Sequence, residues 1–258
     1  MGDIFQLMVI EMLRKLIKTD PSMKSKLLPI IFMMSRSKSS SVLFECASSI
    51  TQLTTSPTAI KVAIQSFLSL LTESNDNNVK VIVLDHLIEL RKRYSKVLED
   101  YMIDILSVMR EDTAISNEIS QKVLELTTAL VSPRNIKEVI LFLEKEISRA
   151  RKMEDSGNNA NATNAYRYLL IKSINQITQA YPETIPAMLS PLIENFLRFE
   201  GKSTFPSLET ILFIREIIEV HSEHKVSIFN KICAIFGEIK SHLVIRVALW
   251  IIGEYAAT

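Results

Sequence analysis

Polar turns that run straight into helices with one apolar face recur along this chain. The plainest case starts at Asp76, where Asp76-Asn-Asn-Val-Lys80 leads into an apolar-striped stretch ending at Leu90. Three such stretches align: Ser39 to Leu53, Asp76 to Leu90 and Asp112 to Leu126 each open with polar residues. Each places an apolar residue fourth (Val42, Val79, Ile115), another twelfth (Ile50, Leu87, Val123), and ends on leucine (Leu53, Leu90, Leu126). Offsets of about eight and three residues keep these side chains on one helical face. A single hairpin cannot bury that face, whereas stacked hairpins can, so stability becomes a sum over neighbours.

The same periodicity predicts about thirteen helices, and caps and prolines mark their starts. Asp3 with Gln6 has the pattern of a capping box. Ser56 before Pro57 places an N-cap ahead of a proline at the first helical position. Pro133 with Asn135, and Pro182 after Tyr181, make similar boundaries. The predicted pairs are 3–18 with 22–36, 40–54 with 57–72, 77–93 with 95–110, 113–131 with 135–152, 162–181 with 183–199, and 205–220 with 223–239, before a last helix at 241–255. Pair starts are separated by 37, 37, 36, 49, 43 and 36 residues, near the ~40–47 of HEAT or armadillo repeats. The expected fold is therefore all-α, an α-solenoid of HEAT/armadillo-like hairpins, with residues 1–258 forming one segment. The longest gap holds a polar stretch from Glu154 to Thr163, expected to be a mobile insertion with cleavage sites at Arg151 and Lys152. Met1-Gly2 enters a helix at once and the last helix ends at Ala256-Ala257-Thr258 with no partner helix. Solenoids carry polar capping repeats, so the expectation is an internal piece of a longer trunk.

Composition narrows the function classes. Of 258 residues, 47% are hydrophobic, and only 5 are Gly and 8 are Pro. So few turn-formers speak for helices over an all-β fold. A formal net charge of +1 offers no basic excess for nucleic acid. Cys46 and Cys233 are isolated in apolar stretches, so no disulfide framework exists and a reducing cytosol is expected. No basic-then-apolar leader opens the chain. The longest uncharged apolar run, Leu27 to Met34, is too short for a span of ~20 residues. Asn161-Ala-Thr163 matches the glycosylation triplet, which carries no weight without a secretory signal.

Candidate chemistry is thin. Glu200-Gly-Lys-Ser203 resembles the end of a phosphate-binding loop, but Phe196 stands where that loop needs glycine, and a helix C-cap at Gly201 is the better reading. His221 and His224 straddle a turn with Ser222 as its cap; two ligands leave a zinc site incomplete. His86 lies on the apolar stripe, expected partly buried against a backbone carbonyl, with no nucleophile spaced to meet it. No catalytic, cofactor-binding or metal-ligating set emerges, so no enzyme is expected. Two basic clusters remain. Arg91, Lys92 and Arg93 end a predicted helix, where cations complement the dipole and Glu89 can pair with Arg93; they are also the candidate partner-binding residues, for an acidic partner or anionic lipid. Arg149-Ala-Arg-Lys152 has the same two readings. Met8, Met12, Met33, Met34, Met102 and Met109 recur at helical spacing and are expected as core filling.

Several stretches carry a family resemblance: Gly2-Asp-Ile-Phe-Gln-Leu7, Ser56-Pro-Thr-Ala-Ile-Lys61, Asp76-Asn-Asn-Val-Lys80 continuing to Leu90, Val131-Ser-Pro-Arg-Asn135 and Ala248-Leu-Trp-Ile-Ile-Gly-Glu-Tyr255. In these the chain resembles the trunk of coatomer beta subunits, relatives of the clathrin-adaptor large chains. The Trp-Ile-Ile-Gly-Glu-Tyr string resembles adaptor trunks generally, and the Asp-Asn-Asn-Val-Lys string is more specific. The likeness spans almost the full chain and is weaker across 154–210. His86 stands where the family pattern has Arg. The resemblance implies a non-enzymatic scaffold of the COPI vesicle coat, cytoplasmic and peripheral on Golgi membranes, in Golgi/ER transport. It implies the delta, gamma and alpha coat subunits as partners, and an Arf-family GTPase for recruitment through the full trunk. No cofactor and no nucleic acid are implied. The alternative is another HEAT-repeat scaffold, such as a nuclear transport receptor or phosphatase scaffold.

Overall fold

A computed structural model describes residues 2–111, 116–155, 160–197 and 205–255. Among them are thirteen α-helices and no strand. The chain forms two compact units, 1–130 and 131–258.

The first unit holds α1 (Asp3–Thr19), α2 (Lys24–Met34), α3 (Ser40–Leu53), α4 (Pro57–Glu73), α5 (Asn77–Glu99), α6 (Met102–Glu111) and α7 (Asn117–Leu130). Sequential helices from α1 to α5 pack on one another, as do α6 and α7. Two layers result. In one, α1 packs on α3 and α5 on α7; in the other are α2, α4 and α6, with α4 bridging to α3, α5 and α6. The aligned apolar positions form the seam. Val42, Ile50, Leu87 and Val123 are fully buried, Leu90 and Leu126 nearly so, and Leu53 and Val79 half-buried. Ile115 lies outside the described residues.

The second unit holds α8 (Ile136–Asp155), α9 (Ala160–Ala180), α10 (Ile185–Leu192), α11 (Phe205–Val220), α12 (Lys225–Ile235) and α13 (His242–Tyr255). Here α9, α11 and α13 pack side by side, with α8 and α10 beside one another and α12 against α11 and α13. Pro191 lacks the N–H that an interior helical position donates. Just after it the chain widens into a π-type turn at Ile193–Leu197, where the Asn195 side-chain amide donates to the Pro191 carbonyl at 2.8 Å.

Several boundaries differ from expectation. Asp3 is the first helical residue and Gly2 its cap, with no side-chain bond to the helix end, so the Asp3–Gln6 box is not the start signal. Ser56 and Pro57 take the expected N-cap and first-turn places. The break expected before residue 95 is a kink within α5, at Tyr94 (φ −131°, ψ 38°). The polar stretch 154–163 is helical at its edges, because α8 extends through Asp155 and α9 begins at Ala160. Residues 156–159 lie outside the described residues, as does the Glu200–Ser203 stretch.

The methionine expectation divides. Met102 and Met109 are buried. Met8 and Met33, at 66% and 75% exposure, are not, nor is Met12. Ile10, Leu13 and Ile17 form the inward face of α1. Ile4, Met8 and Met12 recur at a spacing of four on its opposite face, which explains why helical spacing alone misplaced them.

Candidate partner-binding surfaces

Hydrogen bonds and ion pairs between neighbouring helices reveal the repeat directly. Lys122 on α7 pairs with Asp85 on α5, 37 positions earlier. The Gln179 amide donates to Glu216 at 3.1 Å, again 37 positions apart. The Arg91 guanidinium donates to the Ala129 carbonyl at 3.5 Å, a separation of 38, and Lys61 reaches Asp100 across 39. Each matches one hairpin period, so equivalent surface positions of successive hairpins lie side by side.

The Arg91–Arg93 cluster sits on α5 just ahead of the Tyr94 kink. Successive helical residues are about 100° apart, so three consecutive cations fan around the axis. Arg91 is half-buried and turned to the last turn of α7, where a cation meets carbonyls left without helical partners. Lys92 is exposed. Arg93 lines a small cleft of about 160 Å³ with Glu89, His86 and Gln52. Among the described residues no ion pair joins Glu89 to Arg93. His86 itself packs on rings instead of a carbonyl. It is edge-on to Phe44 at 5.0 Å and stacked on Phe67 at 6.0 Å between ring centres.

In the second unit, Lys145, Arg149 and Lys152 line an open basic cleft along α8, and Arg149 also lies 3.6 Å from Glu146. Glu146 is buried and accepts a 2.7 Å hydrogen bond from the Tyr166 hydroxyl. Burial, and then the adjacent carboxylate, push the Tyr166 hydroxyl far above the ordinary tyrosine range. Arg167, fully buried, lies over the Phe196 ring at 4.8 Å. Periodicity carries a signal for this cluster: Glu146 falls on the buried stripe of Val139, Phe142, Leu143, Ile147 and Ala150, and Tyr166 and Arg167 fall on that of Leu170, Ile171 and Ile174. Arg215 covers the Trp250 ring at 5.4 Å, and Trp250 remains 45% exposed.

His221 and His224 flank a short 3-10 turn, their ring centres 6.5 Å apart. Each is half-buried, and Ser222 is the first residue of the turn, with His221 in the cap position. Among the described residues no group of three His, Cys, Asp or Glu side chains is placed to hold a metal. No described helix is long and apolar enough to cross a membrane. Among the described residues, the polar side chains that join neighbouring helices are spaced along them by the repeat.

The whole chain, residues 1–258, matches the family described as adaptin N terminal region. The chain belongs to the adaptin N-terminal region family. This adaptin region is 38% identical, over 98% of its length, to the coatomer subunit beta of Dictyostelium discoideum, covering 27% of that protein. It is 33% identical to coatomer subunit beta of Sus scrofa over the full chain and 26% of the relative. With coatomer subunit beta-1 of Arabidopsis thaliana the identity is 34% over 98% of the chain and 26% of the relative. The chain thus spans about a quarter of the length of these curated relatives. The resemblance carried by Asp76–Leu90 and Ala248–Tyr255 therefore extends along the adaptin region as a whole.

Proposed function

We propose that this chain is a non-enzymatic scaffold segment of the COPI vesicle coat, one stretch of a longer helical trunk. The observation that carries this reading is the end-to-end similarity to coatomer beta subunits from an amoeba, a mammal and a plant. A surface built by hairpin repetition supports it, because stacked repeats offer extended faces to partners. In this reading the delta, gamma and alpha coat subunits bind the helical faces. Membrane attachment on the Golgi is borrowed from an Arf-family GTPase and neighbouring subunits, as suits a chain of net charge +1. The exposed cations Lys92 and Arg93 are the part of the proposed contact that faces outward, while Arg91 ties α5 to α7.

The test is capture from cytosol with the immobilised chain. Recovery of delta and gamma coat subunits is the expected result. Recovery of nuclear transport cargo or a phosphatase, without coat subunits, would overturn the coat reading in favour of another HEAT-type scaffold.

A further inference from the structure

A groove in the first unit runs between α2 and α4, with a volume of about 930 Å³. That lies at the upper end of the range for ligand sites. Its origin is local. Pro29 inside α2 removes one helical hydrogen bond, and α2 buries only Ile31. This thin helix packs on α1 and α3, while α4 packs on α3, α5 and α6. A trough is left above Leu43 of α3, floored by apolar side chains such as Phe32 and Val62.

The walls and rim have a definite chemistry. Ser66 and Ser69 donate their hydroxyl protons to carbonyls of their own helix, at 3.0 and 3.1 Å. Ser35 does the same at 2.9 Å. Each keeps oxygen lone pairs that can accept from a guest N–H. Arg36 and Lys38, in the turn after α2, are exposed on the rim. Among the described residues neither has an acidic partner. Glu73, at the end of α4, is the acidic residue that lines the same groove.

We propose that this groove binds an extended, acidic peptide segment. Charge complementarity selects the guest: two unpaired cations on the rim outweigh one carboxylate, so the lining favours a negatively charged side chain. The hydroxyl oxygens accept from the peptide backbone, and Phe32, Leu43 and Val62 take an apolar side chain. The groove follows α4 from Thr58 to Glu73, roughly 22 Å at ~1.5 Å per residue. At ~3.3 Å per extended residue that accommodates a peptide of about seven residues. The site is distinct from the Arg91–Arg93 surface and does not depend on which assembly the scaffold enters.

The probes are fluorescein-labelled heptapeptides of Ala, Leu and Ser with a single Glu walked through every position, and matched peptides with Gln. Fluorescence polarisation with the full chain at low ionic strength should show the best Glu peptide bound roughly three- to five-fold more tightly than its Gln match. Arg36→Glu combined with Lys38→Glu should abolish that preference. Glu73→Gln should strengthen Glu-peptide binding, a gain that misfolding cannot mimic. Gln65→Trp, a change at an exposed groove position, should block both peptides with an unaltered thermal melt. Equal binding of Glu and Gln peptides would overturn the proposal. So would binding of anionic phosphatidylserine vesicles through Arg36 and Lys38 with no peptide bound, or indifference to all these variants.

Discussion

Cys46 is fully buried, whereas Cys233 is exposed, and neither forms a disulfide. Burial, and then the neighbouring Glu45 carboxylate, push the Cys46 thiol from 9.0 up to about 12. An aromatic disulfide reagent should therefore titrate one thiol quickly in the native chain and two in denaturant; two fast thiols would contradict the burial. The pH dependence follows in sign. The fold favours the neutral thiol, so its contribution is complete below the unfolded value and is lost as pH rises from about 9 towards about 12. Urea midpoints should fall across that alkaline window, and Cys46→Ala should make the fall shallower. Leu87, fully buried on the α5 seam, sets the cost of an inward position. Leu87→Ala should destabilise by ~2–5 kcal/mol in denaturant melts, and a loss under ~1 kcal/mol would place the wrong face inward.

Helices in each unit are held to their neighbours by apolar seams, with polar links laid across at one repeat spacing. The Lys122–Asp85 pair shows how little such a link contributes. Its side chains are 22% and 55% exposed, so solvent screens much of the attraction. A double-mutant cycle with Lys122→Met and Asp85→Asn should give a coupling of ~0.2–1 kcal/mol that shrinks in high salt. A larger, salt-independent coupling would mean that the pair is effectively desolvated. Element boundaries were legible where chemistry is local: Ser56 and Pro57 start α4 as a cap and a first-turn proline should. They were less legible at Tyr94, where a turn-like sequence is carried through as a kink because Leu90 and Leu98, both buried, anchor the helix on either side of it. The Asp3–Gln6 pattern failed for a related reason. Backbone geometry decides which residue is the cap, and Gly2, in an extended conformation, takes that place.

For the whole molecule, helical content and partner binding should respond to different residues. Far-ultraviolet spectra should report helix without appreciable β-structure. Lys92→Glu with Arg93→Glu should weaken binding of a coat partner and leave the thermal melt nearly unchanged. Arg91→Glu should instead lower the melt, since it places a carboxylate beside the Ala129 carbonyl at the negative end of α7. Unaltered partner affinity in a well-folded Lys92, Arg93 double variant would return those cations to a solvated face.

Periodicity, low glycine content and proline placement sufficed for an all-α fold, the thirteen helices among the described residues and the burial of Val42, Ile50, Leu87 and Val123, because helical amphipathicity depends on residues a few positions apart. The near-37-residue spacing likewise anticipated which helices carry equivalent surface positions. Other features depend on which neighbour a face meets. Met8 and Met33 have the spacing of core residues yet lie outside, because α1 and α2 turn other residues inward. Glu146 and Arg167 fall on the apolar stripes of α8 and α9, but only the packing supplies what each meets there, the Tyr166 hydroxyl for Glu146 and the Phe196 ring for Arg167. His86 needed Phe44 and Phe67, from two other helices, to define its surroundings. The groove above Leu43 arises from space left between α2 and α4, and such a gap is a property of packing that no single stretch of sequence records.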